Sequence, residues 1–231
     1  MGTALIVAGI CYSSWLLEFV LDLGLDPTDS FLSELDAVGR PYRWVFALAD
    51  VITGVLVILV AATALILRKR SPSPLGPPSR LTTTGWVALM IFGGATVADA
   101  TLPISCIPTP DHPCPSSPSG LFPQLHHVHA LTSTVAVNAI FVAMIAFTVA
   151  AFRLRRGAAY RLGRGAALRT AGLTWLLIGS IATVWLLVAD NLPGDYALGV
   201  AQRIQVGMMS LWLVTLGIAV ARPSPTRAAD D

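Results

Sequence analysis

Residues 42–67 read YRWVFALADVITGVLVILVAATALIL, a run with a single charge beyond its first turn. A stretch of this length exceeds the roughly 20 apolar residues that cross a bilayer as a helix. A helix at the surface of a soluble domain would show a polar face; this one is apolar all round, so its surroundings are lipid and other helices. The exception is Asp50, eight residues in, or roughly 12 Å along the axis at 1.5 Å per residue. A carboxylate at that depth costs on the order of 3 kcal/mol, and its side chain is too short to reach the headgroups. Phe46, Thr53 and Gly54 share its face. Such a polar, close-packing stripe is expected to point into a bundle.

Outward from this run, similar stretches recur at 3–23, 83–103, 127–152, 170–190 and 198–221. The composition agrees: 55% of the 231 residues are hydrophobic and 12% charged, against about 25% charged in soluble domains. The expectation is an all-α polytopic membrane protein, a bundle of six transmembrane helices forming a single domain over 1–221, followed by a polar tail at 222–231. The first stretch lacks a basic leader and carries Glu18 and Asp22, so it reads as a retained helix and not as a cleaved signal peptide.

Of the 15 basic residues only Arg40, Arg43 and Arg203 fall at one end of this bundle. The others cluster in the 68–80 and 153–169 connections and after residue 221. Basic residues near helix ends are held on the cytoplasmic side, so both termini are expected to be cytoplasmic and the membrane to be the cell (plasma) membrane. The net charge of +2 is then a topology signal, and no nucleic-acid partner is expected. The longest outer connection contains Cys106 and Cys114, a plausible disulfide in an oxidising exterior. Cys11 reads as a small buried hydrophobe.

With this orientation Glu18, Asp22, Asp50, Asp99 and Asp190 all approach the outer face, which predicts an enclosed polar chamber. On a regular helix Ser14, Glu18 and Asp22 form one stripe, and Arg203 or Arg43 could relieve the repulsion between its two carboxylates. The stretch Asp29 to Leu35 predicts a short interfacial helix, ended by Gly39 and Pro41, that would roof the chamber. His126, His127 and His129 open the fourth helix, His126 and His129 on one face. They lack a defined ligand geometry, so hydrogen bonding to the carboxylates is expected and no metal is. Gln202, Arg203 and Gln205 enter from the same side on the last helix; Arg203 can neutralise a carboxylate or hold a substrate. The six tryptophans are belt or packing residues by default, and any that line the chamber could stabilise a cation.

Ser33-Glu34-Leu35 with Gly39 and Pro41, the histidine at the start of the fourth helix, and Gln202-Arg203 with Trp212 together resemble the bacterial and archaeal membrane family catalogued as domain of unknown function 998. The resemblance spans helices one to six and implies a six-helix membrane fold without a settled activity. Asp36 stands where the family more usually has a small residue. In size and scattered membrane carboxylates the chain is also loosely similar to small membrane-bound terpene cyclases, although their acidic motif does not align residue by residue.

These features favour an integral membrane enzyme that uses buried carboxylates as acid catalysts on a lipidic or isoprenoid small molecule, with protonation-initiated terpenoid cyclisation as the specific expectation. Asp50, Glu18, Asp22, Asp99 and His129 are the catalytic candidates; Arg203, Gln202, His127, Asp190 and Glu34 are the substrate-contact candidates. No nucleotide, haem or flavin motif is present, and no cofactor is expected. The alternatives are a non-enzymatic accessory, lipid-organising or resistance protein whose polar cluster specifies packing, and a proton-coupled transporter.

Overall fold

A computed structural model describes residues 1–67, 79–104, 128–153, 164–194 and 196–221. It contains α1 (Gly2–Cys11), α2 (Arg43–Leu67), α3 (Arg80–Thr101), α4 (Val128–Arg153), α5 (Arg164–Ala189) and α6 (Leu198–Ala221), with no strand among the described residues. Counting α1 together with the 3-10 stretch that follows it, there are among the described residues six helices long and apolar enough to cross a membrane. The protein is an all-α integral membrane protein. Apolar side chains such as Val20, Ile66 and Ile181 face outward, as they must where the solvent is hydrocarbon.

Each helix packs against its successor, and α1 closes the ring against α6. Where lipid tails offer no hydrophobic drive, close backbone approach supplies the attraction. At the α2–α3 crossing a methyl group on Gly54 would lie 2.5 Å from the Gly93 carbonyl oxygen, and one on Gly93 would lie 2.6 Å from that of Gly54. The centre of the bundle is filled by aromatic contacts between Trp86 and Phe147, with ring centroids 4.9 Å apart, and between Phe147 and Trp212, 6.1 Å apart.

The first span departs from the expected continuous helix over 3–23. The α-helix stops at Cys11 and the chain resumes as a 3-10 helix over Ser14–Phe19. The Ser13 hydroxyl donates to the Gly9 carbonyl at 3.0 Å, a side-chain bond that competes with the helical ladder. Three-residue bonds from Ser13 N to Ile10 O and from Leu16 N to Ser13 O replace it. The stripe of Ser14, Glu18 and Asp22 therefore does not form, because a 3-10 repeat rotates residues four apart away from one another. Similarly, the interfacial helix expected over Asp29 to Leu35 is reduced to one 3-10 turn, Leu32–Glu34. Cys106, Cys114, His126 and His127 lie outside the described residues.

Candidate functional site

The connection between the first span and α2 folds over one end of the bundle, held there mainly by α6. Arg203 is 6% and Glu18 3% exposed, and the two meet side-on: Nε donates to Oε1 at 2.7 Å and Nη2 to Oε2 at 2.6 Å. The remaining nitrogen, Nη1, donates to the carbonyls of Ser30 at 2.7 Å and Gly199 at 3.0 Å. A planar guanidinium is suited to this, since its fork engages a carboxylate with two donors and leaves others for carbonyls. One residue earlier, Gln202 Oε1 accepts from the backbone N–H of Leu32 at 2.6 Å. Gly199 lets the loop lie directly on α6, since a methyl group there would sit 2.6–2.7 Å from the carbonyl oxygens of Pro27, Thr28 and Ser30. The far side of the loop is tied to the end of α3 by Val38 N–H on the Ile104 carbonyl at 2.9 Å.

Beneath this roof lies a cavity of about 100 Å³. On a scale where about 10–15 Å³ holds one water, it takes a group of roughly eight non-hydrogen atoms. Asp36, Asp50 and Asp99 all line it, together with Tyr12, Trp15, Phe46, His129, Ser133 and Gln202. Asp99 is thoroughly hydrogen-bonded: the Ser133 hydroxyl donates to it at 2.9–3.0 Å, the Thr132 hydroxyl donates to its Oδ1, and His129 Nδ1 lies 3.3 Å from Oδ1. His129 Nδ1 is also 3.2 Å from the Leu102 carbonyl. Both neighbours of Nδ1 are acceptors, which assigns the ring proton to that nitrogen and leaves Nε2 towards Ser133 at 3.5 Å.

Asp50 has no hydrogen-bond partner among the described residues, although it borders the same space. One turn deeper, the Thr53 hydroxyl bonds to the Ala8 carbonyl at 3.1 Å, so α1 and α2 are joined directly below it. Asp36 is 7% exposed, and among the described residues its buried Oδ1 has no partner. Burial, with the Asp99 carboxylate adding to it and His129 and Arg43 only partly offsetting it, pushes this carboxyl up to about 6. Arg43 donates its Nε to the Asp36 carbonyl oxygen at 3.1 Å.

The expected residues thus divide into separate places. Asp50, Asp99, His129 and Gln202 line the cavity; Glu18 and Arg203 do not, and pair with each other. Asp22 and Asp190 are exposed. Glu34 accepts the Phe31 N–H at 3.0 Å, closing the roof turn. Of the tryptophans only Trp15 lines the cavity. Trp212 is buried in the apolar core, and Trp175 donates to Thr215 Oγ1 at 3.1 Å. Asp36 was not among the sequence candidates; its departure from the small residue usual in the family was the available signal. Ser133 was also missed, and its position four residues after His129 on α4 could have placed both on one face. Among the described residues no group of three His, Cys, Asp or Glu is gathered closely enough to hold a metal ion.

A family model described as a protein of unknown function (DUF998) matches residues 5–219. The chain belongs to that family. No curated protein and no solved structure matches it.

Proposed function

We propose that this member of the DUF998 family is a plasma-membrane enzyme that carries out acid–base chemistry on the end of a lipidic or isoprenoid molecule, with Asp50 as the acid. The observation that carries the reading is the pairing of two unlike carboxyls on one sheltered cavity: Asp50 has no hydrogen-bond partner among the described residues, while Asp99 is fixed by Ser133, Thr132 and His129. One group is free to give a proton and the other is oriented to receive one. The skew of basic residues towards the opposite end of the bundle supports a cavity that opens to the cell exterior.

The specific reaction proposed is isomerisation by protonation. Asp50 in its acid form gives its proton to a terminal alkene or epoxide of an isoprenoid chain, and an internal alkene closes on the resulting cation. A proton is then lost to the Asp99–His129 pair and returned to Asp50, so substrate and product have the same mass. Tyr12, Trp15 and Phe46 supply aromatic faces for the cation. A space for roughly eight non-hydrogen atoms suits the reacting end of the chain, with the remainder left among lipid tails. Transport is disfavoured because the interior beyond the cavity is closed by Leu89, Phe92, Phe147 and Trp212, all at most 1% exposed.

The test is incubation of membranes containing the protein with farnesyl- and geranylgeranyl-substituted aromatics and their terminal epoxides, followed by chromatography for isomers of unchanged mass. Asp50→Asn should abolish any new isomer while leaving the amount of folded protein unchanged. The competing reading, a non-enzymatic accessory protein, draws on the extent to which Glu18, Arg203 and Gln202 are taken up in holding the roof. It prevails if no substrate is converted and Asp50→Asn lowers abundance instead.

A further inference from the structure

The cavity is acidic without a matching base. Asp36, Asp50 and Asp99 line it, and among the described residues His129 is the one lining residue that can carry positive charge. Neither nearby guanidinium enters: Arg43 gives its Nε to the Asp36 carbonyl oxygen, and Arg203 is taken up by Glu18, Ser30 and Gly199. Beyond this acidic cluster there is an independent sign of a missing partner: Asp36 is 7% exposed, lines the cavity, and its carboxyl has no hydrogen-bond partner on any other described residue. A buried acceptor without a partner is uncommon in a native structure, and a donor from outside the chain would satisfy it. The remaining wall is aromatic, from Tyr12, Trp15 and Phe46.

Carboxylates combined with aromatic faces are the chemistry by which proteins hold ammonium groups. We infer that this cavity is a receptor for an organic ammonium head on an apolar tail, the tail lying among the lipid-facing helices. The carboxylates are not gathered as metal ligands, which suits a diffuse cation larger than a bare ion. A trimethylammonium head falls within the roughly eight non-hydrogen atoms that the space takes. The same arrangement argues against a phosphoammonium lipid head, because among the described residues no lysine or arginine lines the cavity to balance a phosphate. This inference concerns binding and stands whether or not the protein turns over an isoprenoid.

The experiment is calorimetric titration of the full chain in phosphatidylcholine nanodiscs, corrected with empty discs. The probes are dodecyltrimethylammonium, dodecylamine, dodecylphosphocholine and dodecyl maltoside. The two ammonium amphiphiles should bind saturably, at least about tenfold more tightly than the phosphocholine and the maltoside. At about pH 7.5, where Asp36 is ionised, Asp36→Asn should weaken the ammonium probes by about tenfold and leave the other two unchanged. Equal or tighter binding of dodecylphosphocholine overturns the inference, as does an absence of saturable ammonium binding. Should the variant fail to fold, the head-group series on the unaltered protein decides alone.

Discussion

Removing both partners of the Glu18–Arg203 pair should destabilise the protein by clearly less than the sum of removing each alone. Arg203→Gln leaves the Glu18 carboxylate, 3% exposed, without its two donors at 2.6 and 2.7 Å, and frees the Ser30 and Gly199 carbonyls as well. Breaking a buried pair in this way costs about 3–5 kcal/mol, and the loss of four bonds puts this variant near the upper end. Glu18→Gln is expected near about 3 kcal/mol, because the stranded guanidinium keeps both carbonyls. In the double variant no unpaired charge remains, so its cost should fall short of the sum by about 2–3 kcal/mol. The assay is equilibrium unfolding in bicelles as the mole fraction of dodecyl sulfate is raised. Costs that simply add, or a Glu18→Gln cost below about 1 kcal/mol, would refute the view that this pair anchors the roof.

Asp36 supplies a pH signature. Its folded-state value is raised from 3.8 to about 6, so the folded protein holds this proton more tightly than the unfolded chain, and stability is lost as pH rises through that interval. The rise corresponds to about 3 kcal/mol; unfolding measured between about pH 4 and pH 7 should show that loss in the unaltered protein relative to Asp36→Asn, and parallel curves would contradict it. At the α2–α3 crossing, Gly54→Ala places a methyl group 2.5 Å from the Gly93 carbonyl oxygen and should cost about 1–3 kcal/mol, read by the same unfolding assay. Gly199→Ala sets a methyl group against three carbonyls of the roof. It should speed proteolytic cleavage within residues 26–41 while leaving the helices protected, and an unchanged cleavage rate would argue that the loop is held elsewhere.

Several features of the site were legible because they follow from one helix and its solvent. Asp50 sits too deep in α2 to reach the headgroups, and its position after Phe46 and before Gly54 required an inward face; the cavity and the Gly93 contact lie on that face. Asp99, His129 and Gln202 were found in the same way, as polar residues at the ends of apolar runs. Arg203 was one of the two cations expected to relieve Glu18, and it does; the stripe of Glu18 with Asp22 misled because a regular helix was assumed through Ser13 and Ser14. The 3-10 turns that replace it send Glu18 inward to Arg203 and leave Asp22 exposed. Asp36 lies in a polar loop, where an acidic residue is unremarkable until the fold buries it.

The sequence by itself determined that six helices cross a membrane and that acidic side chains gather towards one end, because hydrocarbon excludes charge and unpaired backbone whatever the packing. Only the tertiary structure decided which of those acids are neutralised and which are left unpartnered. That choice depends on contacts between residues far apart in the chain, such as Glu18 with Arg203 and Asp99 with Ser133, and no local pattern encodes a bond whose two partners belong to different helices.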